Sequence, residues 1–288
     1  MSGPNHPAQP LDLSAHADAP PATPLRLLFI HHSVGGHLLA TPGADVGTNC
    51  IYQSHPNGGG LRDRLQAAAY EVREASYGSV IGGRTDIRDW PEKFAGQMDK
   101  ILACDSQDQS YPDGRRNQIV VFKSCFPNNN FLAAGQAPGN PAGPGLTVWN
   151  AKAAYNALLA EFRQRPEVLF VCFTAPPQAP KLKPLSRVKQ WVKALLGISP
   201  VPARRAALAR EFNNWLSDRD GWLKNYPLSN VVVFDYYDIL TDHGVANLSR
   251  YPTGGGYDSH PSTEGNQKAA TAFVPLLNRA VRRAGLAP

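Results

Sequence analysis

Two short segments near opposite ends of the chain hold the side chains best suited to chemistry. Near the start, the apolar run Leu27–Ile30 is soon followed by Ser33, and near the end Asp258 and His260 stand just before Pro261. A serine hydroxyl is a weak nucleophile unless a nearby base removes its proton, and histidine is suited to that task near neutral pH. Ser33 and His260 therefore predict nucleophilic catalysis, with Asp258 orienting the imidazole. Each residue also fits a simpler role, Ser33 as a helix N-cap and His260 as a loop residue.

Two loops between these segments carry hydrogen-bond donors that suit a developing negative charge. Gly82 and Gly83 follow the second predicted strand, and glycine lets a backbone N–H approach a substrate oxygen closely. Asn128 and Asn129 follow the third predicted strand, and an amide is a neutral donor that does not titrate. Both loops are also typical of ordinary turns.

A group of histidines suggests a different chemistry, a metal site formed by His31, His32, His37 and His55. His31 and His32 are adjacent at a predicted strand end, so their side chains point to opposite faces unless the backbone turns sharply. No second cluster with ligand spacing is evident. We therefore expect a site without metal or cofactor.

Composition limits the classes of partner. The chain has 288 residues, 42% of them apolar, and its 29 Lys and Arg residues exceed its 23 Asp and Glu residues by only six. This small, dispersed excess does not indicate nucleic-acid binding, and nothing specifies an oligomeric state. The four cysteines lack C-x-x-C spacing, which counts against zinc and leaves a Cys50–Cys104 disulfide open.

Short apolar runs alternate with helical patterns from residue 26 onward. The predicted strands are Arg26–Ile30, Tyr70–Ala75, Gln118–Phe122, Val168–Phe173 and Val231–Phe234. The predicted helices are Gly60–Ala69, Glu92–Ala103, Val148–Arg163, Ala203–Leu216 and Ser262–Arg283. Continuous apolar strands separated by helices predict a parallel sheet between helical layers, with the site at the carboxyl ends of the strands.

The domain prediction is one α/β domain over residues 25–288, preceded by a disordered tail over residues 1–24. The tail lacks the apolar region of a signal peptide, so we expect a cytoplasmic protein. A Pro- and Lys-rich insertion spans residues 176–205. Its amphipathic segment, residues 186–197, is interpreted as a packed surface helix, with a mobile lid or a membrane-surface helix as alternatives.

Three motifs resemble the SGNH (GDSL-type) hydrolases, in particular a poorly characterised branch with His-His-Ser in place of Gly-Asp-Ser. They are Phe-Ile-His-His-Ser-Val-Gly, Phe-Lys-Ser-Cys-Phe-Pro-Asn and Asp-Ser-His-Pro-Ser-Thr-Glu-Gly-Asn, and the resemblance extends over residues 25–284. It implies a flavodoxin-like three-layer α/β/α fold with a five-stranded parallel sheet. It also implies metal-free hydrolysis of esters, often acetyl groups on carbohydrates.

The resemblance assigns roles to particular residues. It implies that Ser33 is the nucleophile and one backbone oxyanion donor, that His260 is the base, and that Gly82 or Gly83 is a second donor. Asn128 matches the side-chain donor. Weaker candidates are Gly78 for the oxyanion and His32 and Asn129 for substrate contact.

The chain departs from the family pattern near the catalytic base. Tyr257 stands three residues before His260, where the family has its aspartate, and Asp258 stands only two residues before it. The block around Asn128 also lacks the usual Gly-x-Asn-Asp form. A Ser–His dyad is therefore left open beside the triad. We expect a serine esterase acting on a small-molecule or carbohydrate ester, with an O-acyltransferase and a non-catalytic binding protein as alternatives.

Overall fold

The computed structural model describes residues 8–181 and 201–288. In chain order its strands are β1 Leu25–Ile30, β2 Thr41–Pro42, β3 Val46–Thr48, β4 Ile51–His55, β5 Tyr70–Ala75, β6 Cys104–Ser106, β7 Gln109–Ser110, β8 Ile119–Lys123, β9 Leu169–Phe173, β10 Val231–Phe234, β11 Pro252–Thr253 and β12 Asp258–Pro261. Its α-helices are α1 Ser33–Leu39, α2 Leu61–Ala67, α3 Trp90–Ala103, α4 Val148–Arg163, α5 Val201–Ser217, α6 Tyr236–Leu240 and α7 Thr263–Arg283. Short 3-10 turns occupy Ile87–Asp89, Phe126–Asn129 and Gly254–Gly256.

The central sheet has five parallel strands in the order β10-β9-β8-β1-β5. Numbered by their position in the chain, these strands run 2-1-3-4-5 across the sheet, the order found in flavodoxin. The order reverses between β1 and β8. In open sheets of this kind, ligands bind outside the carboxyl ends of the strands at such a reversal point.

Alternate side chains of each strand enter two separate apolar cores. Leu27 and Phe29 of β1 pack in the core that includes residues of α1, α2 and α7. Leu28 and Ile30 pack in the core that includes residues of α3, α4 and α5. Because both faces of the sheet are covered by helices, β9 and β10 are apolar along their whole length, whereas the edge strand β5 also carries charged residues. The chain is thus an α/β protein with helices on both sides of a parallel sheet.

The predicted central elements agree closely with the observed ones. All five sheet strands begin and end within one residue of their predicted limits, and helix α4 has the predicted limits. Helix α6 and the short strand pairs outside the central sheet were not predicted, because segments of two to five residues carry too few periods of a pattern to stand out. All four cysteines are free, so the Cys50–Cys104 disulfide does not form.

The N-terminal segment requires a correction. The sequence predicts disorder for residues 1–24, whereas residues 8–24 lie against the domain. Gln9 forms backbone hydrogen bonds to the Asp218 carboxylate and to the Arg219 N–H at 3.0 and 2.8 Å. Leu13 is buried in the core beside α7, and the Asn278 side chain donates to the backbone oxygen of Asp18 at 2.7 Å. A few isolated contacts of this kind produce no periodic pattern in the sequence, so they could not be predicted from it.

Part of the predicted insertion over residues 176–205 is described. Residues 176–181 run without regular structure along the domain, and the helix that follows begins at residue 201, two residues before its predicted start. The amphipathic segment 186–197 lies outside the described residues. Within the part of the chain that the structure describes, no helix combines the length and apolar character needed to cross a membrane.

Candidate active site

Ser33, His260 and Asp258 form a continuous chain of hydrogen bonds. The Ser33 Oγ atom lies 2.9 Å from His260 Nε2, and His260 Nδ1 lies 2.7 Å from Asp258 Oδ1. A carboxylate only accepts hydrogen bonds, so Nδ1 carries the proton and Nε2 is free to accept the serine hydroxyl. This is the tautomer that general-base catalysis by His260 requires.

Ser33 is placed by the turn from β1 into α1. It is the first residue of α1, three positions after the end of β1 at the reversal point of the sheet. His32 before it has extended backbone angles and acts as the N-cap. The Ser33 N–H therefore lies in the first turn of the helix, where backbone donors have no intrahelical partner.

His260 is placed by a small antiparallel pair of strands, β11 and β12. The Thr253 hydroxyl donates to the His260 backbone oxygen at 3.0 Å and ties the pair together. Three glycines with positive φ, Gly254, Gly255 and Gly256, make the tight turn between the strands. The His260 ring then packs edge-on against Phe126, with ring centroids 5.1 Å apart.

Asp258 bonds to both the ring and the backbone nitrogen of His260, the latter at 3.1 Å. Burial alone would raise the pKa of Asp258, but the hydrogen bonds and the charge of His260 lower it below its usual value. Asp258 is thus a carboxylate near neutral pH. The geometry brings Ser33, His260 and Asp258 into a triad arrangement despite the two-residue spacing.

The two glycines of the β5 loop have different surroundings. The Gly82 N–H donates to Ser79 Oγ at 2.8 Å, so it is not free to bind an oxyanion. A Cβ atom at Gly82 would lie 2.1 Å from the backbone nitrogen of Ser76, which explains the need for glycine there. Gly83 N–H has no hydrogen-bond partner among the described residues. The structure therefore corrects the expectation for Gly82 and leaves Gly83 as the candidate backbone donor of this pair.

His32 binds the loop that contains Gly82 and Gly83, here called the glycine loop, and holds it against the start of α1. Its Nε2 atom donates to the backbone oxygens of Gly82, at 2.8 Å, and Gly83. Its Nδ1 atom lies 3.1 Å from the Thr85 hydroxyl, and its ring stacks on Tyr77 with centroids 3.7 Å apart. Burial lowers the pKa of His32 to about 4, so the ring is neutral. Its polar atoms are engaged by the protein, which differs from the substrate contact expected for it.

Asn128 is buried at the 3-10 turn after β8, and its side chain bonds to the neighbouring loop. Its Nδ2 atom donates to Asp86 Oδ1, and its Oδ1 atom accepts from Ile87 N–H, both at 2.9 Å. One amide hydrogen is left uncommitted by these contacts. Asn128 also lines a cavity of about 170 Å³ whose walls do not include Ser33 or His260.

Asn129 has a structural environment. Its Nδ2 atom donates to the backbone oxygens of Ala175 and Pro176 at 2.7 and 3.0 Å, and its Oδ1 atom accepts from Asn213. The side chain is 1% exposed. Asn129 therefore joins the ends of β8 and β9 to α5, and its polar atoms do not face a substrate.

A histidine pair forms one wall beside His260. The rings of His37 and His55 stack with centroids 3.7 Å apart, and His37 lies 5.1 Å from His260 by the same measure. Burial lowers the pKa of His37 to about 3. Among residues 8–181 and 201–288, no group of three or more His, Cys, Asp or Glu side chains is arranged to hold a metal ion.

Several polar groups near Ser33 were not predicted from the sequence as site residues. The Cys125 Sγ atom lies 3.9 Å from both Ser33 Oγ and Lys123 Nζ. Lys123 is fully buried at the end of β8, and burial lowers the pKa of its ammonium group. Glu74 on β5 bonds to His31, and Arg62 on α2 bonds to Glu74. The sequence signal for Lys123 is a charged residue directly after the apolar run Ile119–Phe122. Glu74 shares β5 with Glu71 and Arg73 and does not stand out in the sequence.

The chain matches no family model and no curated protein. The functional interpretation therefore rests on the geometry of the site, on the chemistry of its side chains and on the resemblance of the three sequence motifs.

Proposed function

We propose that this protein is a serine hydrolase of the SGNH type that cleaves a carboxylic ester. The observation that carries the proposal is the hydrogen-bonded series Ser33–His260–Asp258 at the sheet edge. A serine that merely caps a helix has no need of a histidine whose second nitrogen is held by a carboxylate. In a triad, that arrangement sets the tautomer and stabilises the charged imidazole during proton transfer.

The first half of the reaction acylates the enzyme. As Ser33 Oγ attacks the ester carbonyl carbon, its proton moves to His260 Nε2. Asp258 stabilises the resulting imidazolium. His260 then donates the proton to the alcohol oxygen as the carbon–oxygen bond breaks, which leaves an acyl group on Ser33.

The second half returns the enzyme to its starting state. Water gives a proton to His260 Nε2 and attacks the acyl carbonyl carbon, and the proton then passes to Ser33 Oγ as the carboxylic acid leaves. The same site would transfer the acyl group if an acceptor hydroxyl replaced water. Analysis of the products with and without added alcohols separates the two reactions.

Three donors are available for the oxyanion. The Ser33 N–H stands in the first turn of α1, and the Gly83 N–H is free of described partners. Asn128 would contribute the amide hydrogen that Asp86 does not take. Preorganised donors in a site of this kind are commonly the largest catalytic contribution.

The substrate proposed is a short acyl ester, with acetyl groups on carbohydrates as the leading class. The resemblance of the three sequence motifs supports this choice. Tyr77 adds a physical reason, since one face of its ring stacks on His32 while the side chain is 42% exposed. An exposed aromatic ring stacked on the residue before the nucleophile is a suitable surface for a sugar ring.

A fluorophosphonate probe tests the proposal directly. The probe should label Ser33 in the intact protein, and Ser33→Ala should abolish both labelling and hydrolysis of an activated acetyl ester. Ser259→Ala is the matched control, because its hydroxyl bonds to Ala179 and Gln178 instead of His260. Labelling of another residue would place the nucleophile elsewhere, and no labelling of a folded protein would favour a non-catalytic binding protein.

A further inference from the structure

A second histidine, His31, stands two residues before the nucleophile and is completely buried. Its Nδ1 atom is 2.9 Å from the backbone oxygen of His32, and its Nε2 atom is 3.0 Å from Glu74 Oε2. The ring packs edge-on against Phe29, with centroids 5.2 Å apart. Neither the nucleophile nor the base of the proposed reaction touches it.

The partners of His31 indicate its charge. A backbone carbonyl and a carboxylate both accept hydrogen bonds and donate none, so each ring nitrogen must carry a proton. A ring that donates from both nitrogens is an imidazolium. The buried ring is compensated by Glu74 at close range, as a buried charge requires.

Glu74 is held in its charged form by a second cation. The Arg62 guanidinium donates to Glu74 Oε1 from Nε at 3.2 Å and also from Nη2. Burial alone would raise the pKa of Glu74, but the hydrogen bonds and charges of His31 and Arg62 lower it. The series Arg62–Glu74–His31 thus ends in a cation that donates to the His32 carbonyl.

The peptide group that receives this hydrogen bond also contains the Ser33 N–H. Its carbonyl accepts from Gly35 and Gly36 N–H at 2.9 and 3.1 Å, so its orientation is well defined. Withdrawal of electron density from a peptide oxygen makes the N–H of the same peptide a better donor, because the two are coupled by amide resonance. A Cβ atom at Gly35 would lie 2.4 Å from His31 Cβ, so glycine is required for this packing.

We propose that His31, held as an imidazolium by Glu74, is a positioning residue that polarises the His32–Ser33 peptide and strengthens Ser33 N–H as an oxyanion donor. The inference builds on the proposed esterase function. It assigns a physical role to His31, the first histidine of the His-His-Ser sequence. This role differs from that of His32, which holds the glycine loop in place.

The charge on His31 is tested without any reaction. Nitrogen-15 NMR of the intact protein at neutral pH should show protons on both ring nitrogens of His31, assigned through nuclear Overhauser contacts with Phe29. A His31 ring with a single bound proton would overturn the proposal. This measurement needs no variant and does not depend on esterase activity.

The catalytic effect is tested with Glu74→Gln. Glutamine keeps the size of the side chain but turns an N–H toward Nε2, which leaves a neutral His31 that still donates from Nδ1. We expect the rate of Ser33 phosphonylation and kcat for an activated ester to fall about tenfold, with KM unchanged.

Asp238→Asn is the control, because it disrupts another buried ion pair, with Arg210, outside the site. It should lower thermal stability while the rate of Ser33 labelling stays near that of the parent. A folded Glu74→Gln protein with the parent rate would overturn the inference. Failure of the parent protein to label Ser33 would instead contradict the proposed function, whatever the NMR result.

Discussion

The carboxylate of Asp258 accepts two hydrogen bonds from His260, one from ring Nδ1 at 2.7 Å and one from the backbone nitrogen at 3.1 Å. A spacing of two residues suffices because side chains two positions apart in a strand point to the same face, and Asp258 and His260 both lie in β12. Tyr257 stands where the SGNH hydrolases that the chain resembles have their aspartate, and it is an exposed ring over which the Lys181 ammonium lies. The altered spacing therefore preserves the carboxylate–imidazole contact by a local route.

Asp258→Asn should lower kcat by about 10²-fold or more with little change in KM, because an amide cannot stabilise the imidazolium and permits the wrong tautomer. Steady-state kinetics on an activated acetyl ester measures this. Asp113→Asn, which alters an exposed pair with Arg115, should leave the kinetics unchanged. Parent-level kcat in Asp258→Asn would indicate a Ser–His dyad.

Asn128→Ala should lower kcat by about 10²-fold, the size of effect expected for one oxyanion donor. It also removes the bonds to Asp86 and Ile87, so thermal stability must be measured in parallel. Asn129→Ala is the matched control, because its amide bonds only to protein groups. We expect it to cost stability but to preserve kcat in the folded protein. Equal kinetic losses in the two variants would argue against an oxyanion role for Asn128.

Gly82→Ala should destabilise the protein by about 3 kcal/mol or more, because the new methyl group meets the Ser76 backbone instead of a movable side chain. Gly96→Ala is the control. Gly96 lies within α3 with no atom near its added methyl group, so that change should stabilise the protein by about 0.5–1 kcal/mol. Chemical denaturation measures both. Similar stabilities for the two variants would contradict the described packing of the glycine loop.

Stability should fall as the pH is lowered from about 6.5 toward 4, because the folded-state pKa values of His32 and His37, about 4 and about 3, lie below those of the unfolded chain. The unfolded state binds more protons in this interval, so acid favours unfolding. Each such histidine contributes a slope of about 1.4 kcal/mol per pH unit. Denaturation of His37→Phe across this range should show a slope smaller by about that amount. An unchanged slope would show that His37 is not buried in its neutral form.

The layered fold follows from patterns that a linear sequence displays. Continuous apolar runs such as Val231–Phe234 are typical of strands covered on both faces, and the helical spacing over Val148–Arg163 predicts α4. The packing of residues 8–24 has no such signature, because it depends on single contacts such as Leu13 in the core.

In the candidate site, too, some features can be predicted from the sequence and others depend on the tertiary structure. The order of Ser33, Gly83 and Asn128 after parallel strands can be read from the chain, since the carboxyl ends of those strands share one edge of the sheet. His260 can be read as the histidine just before the last helix. Hydrogen-bond partners cannot be read in that way. Gly82 and Gly83 are adjacent and identical in type, yet only folding brings Ser79 Oγ to the Gly82 N–H and leaves the Gly83 N–H free.

His31 and His32, the two histidines before the nucleophile, also show the difference between what the sequence predicts and what the tertiary structure decides. Their sequence positions indicate that they face opposite ways, but not what each one meets. His31 binds Glu74 and His32 binds the glycine loop because β5 lies beside β1 in the sheet. Residue types and periodicity therefore specify the strands, helices and candidate chemical groups, while long-range strand pairing selects the partner, and hence the charge, of each group.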